Sequence, residues 1–198
     1  MNLSITTTEK LNKLYERLQG CTRTQLGLES VNLPDKLRGF GKPIGHGRGS
    51  RYMFIGQNPG QRRASNSELF ALGSKNGCIL NSILLQAGYR LDDCYFTNLV
   101  KCSTKENEVP SSLIISRCTR SWLMKEVDLV DPPLIVAMGS ACQNYFHLNS
   151  LLTPRIWNGR EVVGIWHPTF AKRFNKIPEY IDQLERIHEL GAKQLSFI

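Results

Sequence analysis

Three short segments of the 198-residue chain end apolar runs in side chains that can hold a polar ligand or orient water. In Gly56-Gln57-Asn58-Pro59-Gly60, two adjacent amides sit in a tight turn after Phe54 and Ile55. In Thr97-Asn98-Leu99-Val100-Lys101-Cys102, an amide interrupts a hydrophobic stretch, and in His167-Pro168-Thr169 an imidazole follows Trp166. Chemistry that needs a positioned water suits Asn58. Each residue also has a plain reading: Asn58 and Asn98 as turn formers, His167 as a satisfied imidazole ahead of a helix. Together they gain meaning only if the fold carries all three to one place.

The pattern of elements predicts that it does. Apolar runs at Tyr52 to Gly56, Tyr95 to Val100, Leu134 to Met138 and Glu161 to Trp166 read as buried strands. Helical periodicity falls between them, at Gly77 to Ala87, Ser111 to Leu129 and Ser140 to Leu148, with a further stretch from Pro178 to Leu190. An amphipathic helix over residues 9 to 19, with Leu11, Leu14, Tyr15 and Leu18 on one stripe and Thr6 and Glu9 as a capping box, leads the chain. Such alternation predicts an α/β fold, a three-layer α/β/α single domain spanning residues 1–198 around a central four-stranded parallel sheet. In such sheets ligands bind at the carboxyl ends of the strands, where Asn58, Asn98 and His167 would converge. Residues 26 to 50, rich in Gly and basic side chains, read as a long surface loop. Gly45-His46-Gly47-Arg48-Gly49 precedes its strand, which argues against a dinucleotide-binding turn.

Composition points to the partner class. Hydrophobic residues make up 41% of the chain, enough for a core, and the formal net charge is +8. With a pI near 9.3, a polyanion is the expected partner, nucleic acid first. No apolar run approaches membrane-spanning length and the first residues lack the layout of a signal peptide, so a cytoplasmic protein with no membrane partner is expected. The six cysteines then read as buried thiols or metal ligands rather than disulfides. Cys78, Cys94 and Cys142 fall within helical or strand stretches and read as core thiols.

Taken in order, the three segments resemble the signature motifs of the uracil-DNA glycosylase superfamily, and the chain from about Leu11 to Leu190 is most similar to its iron-sulfur branch, family 4. The resemblance implies a monomeric enzyme that rotates a pyrimidine out of DNA and hydrolyses its N-glycosidic bond, leaving an abasic site. It assigns Asn58 to orienting the attacking water and His167 to hydrogen-bonding the pyrimidine O2 as charge develops there. Gly56, Gln57 and Pro59 would line the base pocket, Phe70 would stack on the base, and Asn98 would read its polar edge. The Phe70 spacing is one residue longer than the family's usual form. Pro168, Thr169, Phe170, Lys172 and Arg173 would contact DNA, with Phe170 as a wedge beside the extruded base. Arg62, Arg63 and Lys101, together with Arg48 and Arg51, are candidates for phosphate contacts.

This chain departs from the branch in two places. A [4Fe–4S] cluster there is held by four cysteines; Cys21, Cys102 and Cys118 occupy three of those positions, and Thr24 stands at the fourth. Two readings stay open, a cluster with one non-cysteine ligand or thiols that merely pack. The first motif is also altered: the branch's Gly-Glu-Ala-Pro-Gly, followed by acidic residues, becomes Gly56-Gln57-Asn58-Pro59-Gly60 followed by Gln61-Arg62-Arg63. Uracil is the substrate by family default. The changed surroundings of the base C5 position leave open a C5-modified cytosine of bacteriophage DNA, excised as a defence, and a DNA-binding module without catalysis is the third alternative.

Overall fold

The computed structural model describes residues 2–19, 21, 46–47, 49–59, 75–102, 104 and 108–195. Six strands form one sheet: β1 (His46–Gly47), β2 (Tyr52–Gly56), β3 (Cys94–Asn98), β4 (Leu134–Met138), β5 (Arg155–Trp157) and β6 (Arg160–Ile165), in the order β1-β3-β2-β4-β6-β5. The four expected strands are its parallel centre. Two short antiparallel edge strands extend the expected sheet, β1 against β3 and β5 against β6.

Burial on both faces explains why the central strands are continuous apolar runs rather than alternating ones. Every residue of β2, β3 and β4 is buried. Their side chains nevertheless sort by pleat. Met53, Ile55, Tyr95, Ile135, Ala137 and Val162 enter one core, beneath α1 (Ile5–Gln19), α3 (Ser112–Cys118), α4 (Met124–Val130) and α5 (Ser140–Tyr145). Tyr52, Phe54, Phe96, Val136, Val163 and Ile165 enter the other, beneath α2 (Lys75–Gln86) and α7 (Ile177–Leu195). Helix layers on both faces follow from two apolar faces that both need covering.

Local chemistry corrects several boundaries. The first helix begins at Ile5, because the Ser4 hydroxyl accepts the Thr7 N–H at 3.1 Å; Ser4 is thus the cap, in place of the expected Thr6 and Glu9 pair. Between α3 and α4, Thr119–Leu123 forms a π-helical turn inside what the sequence reads as one helix. Thr119 Oγ1 donates there to the carbonyls of Ile115 and Ser116. Asn158 and Gly159, both at positive φ, make the two-residue turn of the β5–β6 hairpin. Strand β3 ends at Asn98, two residues earlier than expected, since the Leu99 and Val100 N–H groups turn to the carbonyls of Gly56 and Gln57.

The chain steps from β2 outward to β3, then returns past β2 to β4 and on to β6. Its switch point therefore lies between β2 and β4, the place where open α/β sheets form their ligand-binding crevice, outside the carboxyl ends of the strands. Among the described residues, no helix is long and apolar enough to cross a membrane.

Candidate active site

All four parallel strands end at that edge, three of them in the segments that carry Asn58, Asn98 and His167. Gly56 pairs in register with Asn98, so the turn after β2 rises directly beside Asn98. On the other side Met138 pairs with Ile165, which brings Gly139 beside Trp166 and His167. A Cβ on Gly139 would lie 3.0 Å from the His167 Cβ, and its φ of +85° favours glycine in any case, so this residue makes room for the imidazole. Asn98 and His167 stand three strand spacings apart, about 14 Å at the backbone, a gap that two side chains and one pyrimidine ring can fill.

The turn after β2 is an oriented device. Gln57 Nε2 donates to Asn58 Oδ1 at 2.6 Å and to the Glu108 carbonyl at 3.2 Å. Asn58 Nδ2 donates in turn to the Pro59 carbonyl at 3.1 Å and to Thr104 Oγ1 at 3.2 Å, while Thr104 donates to the Glu108 carbonyl at 2.7 Å. Both Asn58 donors are therefore committed inward. What the amide has left is the second lone pair of Oδ1, which can only accept.

Asn98 behaves in the opposite way. It is 2% exposed, and its Nδ2 is buried with no hydrogen-bond partner among the described residues. Leaving such a donor unmatched costs about 1–3 kcal/mol, so it is poised for an acceptor that arrives from outside. His167 caps the short helix α6 (Pro168–Arg173) by accepting the Thr169 N–H on Nδ1 at 3.1 Å. Burial holds the imidazole below its ordinary pKa of 6.5. A neutral ring whose Nδ1 accepts must carry its proton on Nε2, so the face it offers a ligand is a donor.

Lys101 does not play its expected part at phosphate. It is 2% exposed, with Nζ 2.5 Å from Glu126 Oε2 and 2.5 Å from Thr97 Oγ1. Glu126 also accepts from Thr97, Tyr15 and Tyr95, whose two hydroxyls touch each other, and the network underlies the end of β3 behind Asn98. Sequence reasoning missed Glu126, although it falls on the buried stripe of Leu123, Val127 and Val130, a position where an acid needs a buried partner. Arg51 likewise lies away from Asn58, Asn98 and His167: it precedes β2, at the amino ends of the parallel strands, and lies over the Tyr52 ring at 5.2 Å.

In α6, Pro168 is buried, while Thr169, Phe170, Lys172 and Arg173 are exposed beside His167. Arg48, Arg62, Arg63 and Phe70 lie outside the described residues, as does Thr24. Cys21, Cys102 and Cys118 do gather at one corner, packed on the same core as Trp122. Cys118 Sγ accepts the Lys101 N–H at 3.3 Å, and burial pushes its thiol up to about 12. The Trp122 indole N–H makes no hydrogen bond of standard geometry among the described residues, yet lies close enough to Cys21 to oppose the rise that burial imposes on that thiol. Cys94 and Cys142 are buried elsewhere, and Cys78 is exposed on α2 rather than in the core as expected. Among the described residues no three Cys, His, Asp or Glu side chains form a metal-ligand set, so the thiols present do not fit a four-thiolate cluster.

Comparison with known proteins places the chain in a family. A family model described as the uracil DNA glycosylase superfamily matches residues 44–186. The type-4 uracil-DNA glycosylase of Thermotoga maritima is 25% identical over 174 residues, covering 83% of this chain and 84% of its own. That of Archaeoglobus fulgidus is 24% identical over 201 residues, covering 94% and 96%. A shorter match, 30% identical over 95 residues, links 47% of this chain to 42% of the type-4 enzyme of Saccharolobus solfataricus. The chain belongs to the uracil DNA glycosylase superfamily, and with it to the DNA glycosylases, hydrolases of N-glycosyl bonds.

Proposed function

We propose that the chain removes uracil from DNA by hydrolysis of the N-glycosidic bond, with Asn98, His167 and Asn58 as the working residues. The observation that carries this reading is the Nδ2 of Asn98, buried at the end of β3 with no hydrogen-bond partner among the described residues. Uracil offers an acceptor at O4 and a donor at N3 side by side, which a primary amide matches with its nitrogen and oxygen. Extrusion of the nucleotide then supplies the missing partner and recovers part of the unstacking cost.

The remaining groups follow from what they have left to give. As the glycosidic bond breaks, negative charge develops on the departing pyrimidine, and the Nε2–H of His167 is a donor suited to its O2. Asn58 cannot act as a base at any ordinary pH. The remaining lone pair of its Oδ1 accepts a hydrogen bond from one O–H of a water and so turns that water's lone pair toward the sugar, where an oxocarbenium-like centre is attacked. Gln57 and Thr104 act through Asn58, by fixing which end of its amide faces outward. No step of this reading runs through iron.

Gly60 to Arg63, the residues expected near the base C5 position, lie outside the described residues, so uracil stands as the substrate in this reading. Incubation of the chain with a uracil-containing oligonucleotide, followed by cleavage at abasic sites, tests it. Strand scission abolished by Asn98→Ala is expected; no scission by the unaltered chain overturns the proposal.

A further inference from the structure

Trp166, Phe170 and Phe174 form a continuous aromatic ladder that starts beside His167 and runs out along α6. Their ring centroids are 5.5 and 4.6 Å apart in succession, and the spacing of four residues places all three on one side of the helix and its cap. The ladder is not what anchors α6, because Pro168 and Ala171 bury the opposite side against the core. Phe170 is 40% and Phe174 55% exposed.

Single exposed apolar residues need no explanation, but contiguous rings in mutual contact, tilted by 52° and 41° and flanked by cations, do. Arg173 lies 5.8 Å over the Phe174 ring and Lys176 lies 5.2 Å over Trp166, the latter also 3.7 Å from Glu179. Lys172 is exposed on the same short helix. Aromatic faces alternating with cations are the chemistry that holds unpaired nucleotides, bases on the rings and phosphates on the cations. The rings already touch one another, so no base enters between them; a base must lie on an outer face.

We infer that this ladder is a stacking platform for single-stranded DNA, with Phe174 taking an unpaired base next to the extruded nucleotide. In a duplex, base faces are uncovered only within the gap that the extruded nucleotide leaves, and Phe170 suffices to fill that gap. A second ring, one turn further on, finds a base face only where the neighbouring nucleotides are unpaired too. The ladder thus selects single strands over duplex. This rests on the proposed glycosylase reading for its place in the reaction, though the binding itself does not require turnover.

Fluorescence anisotropy with a uracil-free single-stranded oligonucleotide and its matched duplex, at one fixed salt concentration, separates the two. Phe174→Ala should weaken single-strand binding roughly tenfold and leave duplex binding within about twofold. Phe174→Trp should restore it, whereas Phe174→Leu, which keeps the apolar bulk without the ring, should not. Unchanged single-strand affinity in Phe174→Ala, or equal loss on both forms, overturns the inference. Self-association of the unaltered chain that Phe174→Ala abolishes, with DNA affinities unchanged, would assign the ladder to a second copy instead. Uracil release by the unaltered chain is scored separately, so failure of the glycosylase reading is seen without reference to Phe174.

Discussion

His167 accepts the Thr169 N–H through Nδ1, and this one bond decides which nitrogen faces the crevice. Burial favours the neutral ring, so the folded pKa lies below 6.5. The unfolded chain then binds the proton more readily, and the stability this residue contributes is complete above pH 6.5 and lost as pH falls toward the folded value. Nitrogen-detected NMR should report an Nε2–H tautomer at pH 7. Turnover should be flat from neutral pH upward and fall only below pH 6.5, when the imidazolium loses its cap acceptor; a rise on acidification would contradict the assignment. His167→Ala should lower kcat by about 10²–10³.

Gln57 is the nearest constraint on Asn58. Replacing it by leucine keeps bulk but frees the Asn58 amide to rotate, so kcat should drop by roughly tenfold to a hundredfold with KM little changed. Single-turnover kinetics measures that split. Equal loss in kcat and KM, or a change in KM alone, would place Gln57 at the base instead of behind the water.

Lys101 and Glu126 form a buried pair at the end of β3, with neither side chain more than 2% exposed. Removing one partner strands the other charge in the core, so Lys101→Met should destabilise the fold by about 3–5 kcal/mol in denaturant titrations. The salt dependence of DNA binding should keep its slope in that variant. By contrast Lys172→Ala or Arg173→Ala should each reduce the slope by about one, with stability nearly unchanged. A reduced slope for Lys101→Met would return that residue to the phosphate contacts.

The cysteines separate by exposure. Cys78 should react first with a maleimide under native conditions, and Cys94 and Cys142 only after unfolding, as mass spectrometry of tryptic peptides would record. Anaerobically purified chain should show no broad visible absorbance and no stoichiometric iron. A full cluster's complement of iron would mean that a ligand beyond Cys21, Cys102 and Cys118 completes the set.

Much of the frame was legible because parallel strands buried on both faces announce themselves as short apolar runs; Tyr52–Gly56 and Leu134–Met138 were read to the residue. The edge strands were not. Arg155–Trp157 is largely exposed and carries no buried periodicity, although Asn158-Gly159 was a readable hairpin turn. At the site, residue types at strand ends pointed to Asn58, Asn98 and His167, since topology alone carries them to one edge. Gln57 to Glu108, Asn58 to Thr104 and Lys101 to Glu126 are contacts between segments distant in sequence, and no local pattern encodes them. Lys101 shows the consequence: a lysine beside the motif has the sequence signature of a phosphate ligand, and only the fold supplies its buried carboxylate partner.

The central claim is that this crevice reads and releases uracil. Mass spectrometry of the free bases liberated from uracil-containing DNA tests it most directly. The account predicts free uracil in step with abasic sites, lost in Asn98→Ala and strongly reduced in Asn58→Ala. Absence of free uracil, or release undiminished in Asn98→Ala, would contradict it.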